Sequence, residues 1–128
     1  MASPDELWPG VGEKDLICDN AHAVSFLDAY PVSRGHALVV PRRRTPGLFD
    51  LEPQELDGVW ELVARTRAIL VGRFAPDGFT IGVNDGEAAG QTVMHAHIHV
   101  IPRYRGDVPD PRGGIRWVIP EKAAYWSE

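Results

Sequence analysis

The chain is 128 residues long, 44% apolar and 24% charged, with a formal net charge of -5 and a single cysteine, Cys18. That length supports one domain with its own core, and an acidic balance argues against general nucleic-acid binding. No apolar run is long enough to span a membrane, residues 1–6 lack a basic stretch followed by an apolar one, and a lone cysteine excludes a disulfide framework and a cysteine-rich zinc site; a cytoplasmic protein is expected.

In chain order, residues 1–14 carry two prolines and two glycines and read as an irregular arm. "DLICDNAHAVSFLDAY" (15–30) reads as two strands about a tight turn at Asp19-Asn20, with Cys18 a small strand residue and His22 on the hairpin surface. After "PVSRG", the segment "HALVVP" (36–41) forms a third strand with His36, Leu38 and Val40 on one face. "RRRTPGLFDLEP" leads into one long helix from about Pro53 to Phe74, Pro53 suiting a first turn where its missing N–H costs nothing. Leu56, Val59, Trp60, Val63, Leu70 and Phe74 recur at helical spacing, which predicts one buried stripe with Trp60 in the core. Pro76-Asp77-Gly78 ends the helix, and "FTIGVN" begins a fourth strand with Phe79, Ile81 and Val83 on one face. "DGEAAG" turns the chain into a fifth strand, the histidine run, and "IRWVI" (115–119) is a short extended piece near the end. This order predicts an α+β domain: an antiparallel sheet of about five strands with one long helix on one face. Residues 1–14 are its arm, 15–104 its core and 105–128 its tail. Arginines cluster at Arg42-Arg43-Arg44 and again at Arg103, Arg105, Arg112 and Arg116, which fits either a local anionic pocket or solvated loops.

"GQTVMHAHIHVIPRY" (90–104) places three of the five histidines at every second position of an apolar run. As a strand it puts His95, His97 and His99 on one face and turns Ala96, Ile98 and Val100 to the core. Three uses compete. A structural strand would carry the rings as satisfied polar groups. A metal site would use a His-x-His pair as ligands. The cupin pattern, the nearest small fold with that pair, also wants a glutamate a few residues on and an all-β chain. Here Val100-Ile101-Pro102-Arg103 follows, and a long helix precedes. Phosphate chemistry is the third use. Neutral imidazole is a good nucleophile at phosphorus, and a neighbouring protonated ring can hydrogen-bond an anionic oxygen or protonate a leaving group. The preceding turn, residues 84–92, offers small residues, amides and a hydroxyl, and lets backbone N–H groups approach an anion. A Gly-Gln-Thr turn running straight into His-x-His-x-His favours the phosphate use.

The run His95-Ala96-His97-Ile98-His99-Val100-Ile101 resembles the hallmark of the histidine triad family of nucleotide hydrolases and transferases, His-φ-His-φ-His-φ-φ with φ apolar. "FLDAYPVSRGHALVVPRR" is similar to the family's upstream strand–turn–strand, and "NDGEAAGQTVMHAHIHVIPR" to its phosphate loop and catalytic strand. The likeness covers residues 15–104. It implies that His97 attacks an α-phosphorus to give a nucleotidyl-histidine that water cleaves, while the backbone carbonyl of His95 holds the other ring nitrogen of His97. It further implies that His99 binds phosphate oxygens and that His36 buttresses the triad. Asn84, Gln91 and Thr92, with Gly90 in the same loop, would surround the α-phosphate and leaving group. Asp28 would accept the ribose hydroxyls, with Phe26 and Leu27 at the base pocket.

The resemblance implies no cofactor for the chemical step, a divalent cation entering only as counter-ion of the substrate. Relatives that open with Cys-x-x-Cys bind a structural zinc; Cys18 alone makes no such pair, and no metal ligand is expected. The implied partners are a small-molecule nucleotide and a second copy of the chain in a twofold dimer. "GQTV", the "PR" after the triad and the long tail resemble the bacterial branch that cleaves diadenosine polyphosphates. Nucleoside phosphoramidates are the second substrate class, and a nucleotide-binding regulator with weak catalysis is the alternative outside the enzymes. In the tail, Ile115, Trp117 and Ile119 alternate with Arg116 and Val118, and Tyr125 and Trp126 add docking area. That pattern predicts a tail packed along the dimer, bringing Arg112 or Arg116 near the nucleotide site.

Overall fold

Asn20 closes the first hairpin of the computed structural model, which describes residues 8–126. Its side-chain oxygen accepts the N–H groups of His22 and Ala23 at 2.9 and 2.8 Å, an Asx turn joining β1 (Leu16–Asp19) to β2 (Ala23–Leu27). The turn therefore lies just beyond the expected Asp19-Asn20 pair. Next come β3 (Ala37–Pro41), β4 (Gly78–Gly82) and β5 (Ile98–Arg103). All pairings are antiparallel, in the spatial order β1-β2-β3-β5-β4, so β5 lies between β3 and the edge strand β4.

The long helix, α1 (Pro53–Phe74), has the expected bounds. Glu55 accepts the Glu52 N–H at 2.8 Å and satisfies an orphan donor at the helix start. At the far end Ala75 adopts a left-handed conformation (φ 49°) and donates to the Val71 carbonyl at 3.0 Å, before Pro76 stops the chain. Val59, Leu62, Val63, Thr66 and Leu70 are buried on its inner face, the apolar ones packing on Ala37, Val39, Ile98 and Val100 of the sheet. Trp60 departs from expectation: it is 42% exposed. One residue is a turn of about 100° around a helix, so Trp60 stands to the side of Val59 rather than beneath it.

The histidine run is only partly a strand. Ladder pairs stop at Val39↔Ile98, because Pro41 has no N–H to continue them. The Ala96 N–H instead reaches the Thr45 carbonyl at 2.7 Å, so His95 and His97 sit on an irregular lead-in to β5. The segment 115–119 is not extended either. It forms a 3₁₀ turn, Gly114–Val118, followed by a short α2 (Pro120–Ala123). Gly113 and Gly114 take positive φ values of 89° and 43°, which start the turn.

One face of the sheet is covered by α1. The other carries a second apolar cluster of Val11, Val24, Phe26, Leu38 and Val40, capped by Trp8 of the N-terminal arm. The remainder of the arm expected over residues 1–14 falls partly outside the described residues. Among the described residues no helix is long and apolar enough to cross a membrane.

Candidate active site

Gly35 brings the first histidine in. It has φ +89°, and a Cβ there would meet the Phe74 ring at 2.7 Å, so only glycine passes the end of α1 and delivers His36 to the start of β3. The Val32 N–H donates to His36 Nδ1 at 3.1 Å. A neutral His36 therefore carries its proton on Nε2, which lies 3.0 Å from His99 Nδ1 and 3.5 Å from an Asp28 carboxylate oxygen. If His36 donates to His99 Nδ1, the His99 proton belongs on Nε2, the nitrogen turned away from His36. His97 is fixed separately. Its Nδ1 donates to the His95 carbonyl at 2.8 Å, leaving Nε2 with a free lone pair. His95 donates from Nε2 to the Pro41 carbonyl at 2.9 Å and is buried.

The rings of His97 and His99 are 5.2 Å apart between centres, and those of His36 and His99 the same. Burial pushes His99 down from 6.5 to about 4, with charge repulsion from His97 and His36 adding to it and Asp28 opposing. Burial also lowers His36, against the pull of Asp28. Both rings are thus neutral donors at neutral pH. At the cavity His99 therefore offers a neutral N–H donor rather than a positive charge.

These groups border a cavity of about 390 Å³. Asp28, Asn84, Gly90, Thr92, His97 and His99 line it, while His36 and His95 stand behind. Phe26 is buried beneath Trp8, their ring centres 6.0 Å apart. Two residues are placed differently. Leu27 packs on the helix-side core, since alternation along β2 turns it away from Phe26. Gln91 spends its amide on the backbone: it accepts the Gly86 N–H at 2.9 Å and donates to the carbonyls of Pro46 and Val93 at 2.9 and 3.0 Å. It shapes the loop.

Sequence reasoning missed Trp8, Tyr30, Leu38 and Val93 at this cavity. Trp8 approaches His97 edge-on, with ring centres 4.7 Å apart. Its signal was slight, one aromatic in a proline- and glycine-containing arm. No arginine or lysine is among the residues lining the cavity. The arginine clusters are engaged elsewhere: Arg42 with Asn20 and Asp19, Arg43 with Glu55 and Asp50, Arg103 with Asp107. Arg112 pairs with Asp110, and Arg116 donates to the carbonyls of Ala123 and Lys122. In the described chain neither tail arginine reaches the site.

Asp28, His36 and His99 each offer a ligand atom within 4.8 Å of the others, a spacing that three ligands of one metal ion share. Val32 weighs against that use. A metal on His36 Nε2 would send the ring proton to Nδ1, opposite an N–H that needs an acceptor there.

A sheet with one helix-covered face and tautomer-fixed imidazoles beside a glycine-containing loop on the other defines a class. The chain belongs to the HIT domain family, whose model matches residues 10–106. Over 97 residues it is 43% identical to a bis(5'-adenosyl)-triphosphatase of Dictyostelium discoideum, covering 76% of this chain and 65% of that one. Over 85 residues it is 39% identical to an asymmetrical bis(5'-nucleosyl)-tetraphosphatase of Schizosaccharomyces pombe, covering 66% of this chain and 47% of that one. The chain thus spans less than two thirds of either relative. A crystal structure of a HIT family protein from Bacillus anthracis superposes with a TM-score of 0.69 at 35% identity, covering 73% of this chain and 66% of that one.

Proposed function

We propose that the protein is a nucleotide hydrolase that cleaves at an α-phosphate of dinucleoside polyphosphates through a covalent intermediate on His97. The hydrogen bond from His97 Nδ1 to the His95 carbonyl carries this reading, because it leaves Nε2 unprotonated at the cavity. Nε2 attacks phosphorus, a P–N bond forms, and the P–O bond to the remaining polyphosphate breaks, its electron pair leaving with the bridging oxygen. Water then attacks phosphorus, the P–N bond breaks back onto Nε2, and a nucleoside monophosphate and a proton are released. His99 donates to a phosphate oxygen, Asp28 faces the ribose, and loop N–H groups near Gly90 face the anion. The names of the two phosphatase relatives support the substrate class. The reaction so written needs no cofactor. A divalent cation serves only as the substrate's counter-ion.

The working molecule in this proposal is a twofold dimer. β4 is an open sheet edge, and Trp60 and Val71 lie 42% and 43% exposed on a flank of α1. Arg67, between them in sequence, stacks on Phe79 of β4 at 4.8 Å, so that flank adjoins the edge.

A turnover panel of diadenosine triphosphate, diadenosine tetraphosphate and an adenosine phosphoramidate tests the reading, with acid-quenched protein assayed for label from an α-labelled substrate. Wild type should turn over the dinucleotides and retain label. His97→Ala should lose turnover by several orders of magnitude and retain none. Full turnover in His97→Ala would refute the mechanism, and exclusive turnover of the phosphoramidate would move the substrate class.

A further inference from the structure

A second cavity, of about 570 Å³, adjoins the first and shares His99 and Asn84 with it. His99 stands between them, with His97 on one side and His36, which lines the second cavity, on the other. Its outer wall is the tail: Ile115, Val118 and Ile119 face Ile101 and Val83 of the core. The 3₁₀ turn explains which tail residues meet here. A period of three groups Ile115 with Val118, where an extended strand would group Ile115 with Trp117.

The wall is braced. Arg116 donates to Ala123 and Lys122 carbonyls at 2.9 and 2.6 Å, and Trp117 Nε1 donates to the Arg112 carbonyl at 2.8 Å. Arg112 stacks on Trp126 and Arg116 on Tyr125, at 4.5 and 4.7 Å. Gly82, paired with His99 across the sheet, lies directly opposite the wall: a Cβ there would touch the Ile115 methyl at 3.4 Å, and a larger side chain would enter the cleft. Yet Ile115, Val118 and Ile119 remain 61%, 74% and 55% exposed. A fixed apolar cleft of ligand size, left open beside a reacting centre, is the mark of a binding site.

We infer that this cleft binds the second nucleoside of the substrate, the one that departs with the leaving polyphosphate. The inference rests on the hydrolase reading above and extends it from the attacked phosphate to the leaving group. A phosphate held by His99 sits where both cavities meet. With the first nucleoside in the Asp28 cavity, the polyphosphate passes His99 and places its far base between the tail isoleucines and Ile101. The tail thereby selects dinucleotides over nucleotides that end in phosphate.

Diadenosine tetraphosphate and adenosine tetraphosphate share the phosphate chain and differ by one nucleoside. Wild-type kcat/KM should favour the first. Ile119→Asp and Gly82→Val, which charge and fill the cleft respectively, should lower kcat/KM for diadenosine tetraphosphate by about tenfold or more and leave adenosine tetraphosphate unchanged. Equal losses on both substrates, or none on either, would overturn the inference while leaving the hydrolase reading intact. So would variants that change the mass of the assembly but not the substrate preference, since the cleft would then belong to a second copy. Wild-type protein that cleaves neither substrate overturns both.

Discussion

The backbone N–H of Val32 donates to His36 Nδ1, and that bond sets where the proton sits on His36 and, through it, on His99. The arrangement suits neutral rings and makes a pH prediction. His99 titrates near 4 in the fold against 6.5 in a solvated chain, so between those values the unfolded state binds a proton that the folded state does not. Stability should be full above pH 6.5 and fall as pH drops toward 4, with His36, lowered as well, acting in the same direction. Urea midpoints measured across that range should decline in wild type and decline less in His99→Gln. An equal slope in the variant would assign the loss to other groups. At this scale the sequence showed which residue types gather at the cavity but not every location. The triad and Asp28 were visible as residue types at known spacing. Leu27 and Gln91 were misplaced because a match of position does not say which way a side chain turns or what its amide already binds.

For elements, local rules reached furthest where one period ran long. The helix bounds were legible because Pro53 opens and Pro76 closes a stripe of apolar residues. Its cap holds a strain that sequence alone did not suggest. Ala75 is the only non-glycine with positive φ among the described residues. A left-handed alanine costs about 1 kcal/mol or more, part of which glycine returns as unfolded-chain entropy. Ala75→Gly should therefore stabilise the protein by roughly 0.5 kcal/mol, read as a higher urea midpoint at unchanged slope. A lower midpoint would show that contacts of the alanine methyl outweigh the strain. Short segments were less legible. "HAHIH" alternates like a strand, but the ladder ends where Pro41 lacks a donor, and "IRWVI" alternates equally well yet coils behind two glycines.

At the scale of the whole molecule, the open β4 edge and the Trp60–Val71 flank give the dimer proposal its test. Wild type should sediment at twice the chain mass, and Trp60→Glu should shift it toward the monomer by placing a charge where apolar surface meets its copy. A monomeric wild type would refute the dimer and leave the cavities unchanged.

The sequence by itself determined the sheet-and-helix class, the long helix and the alternating run of histidines, because hydrophobic period, proline positions and residue spacing are local properties that burial then enforces. Only the tertiary structure decided that Trp8 closes over His97, that Val32 sets the proton on His36, and that the tail walls a second cavity against His99. Each of these joins residues far apart in the chain or depends on the direction of one side chain or N–H. Such pairings are settled by packing and by the need to satisfy buried donors, which no local pattern records.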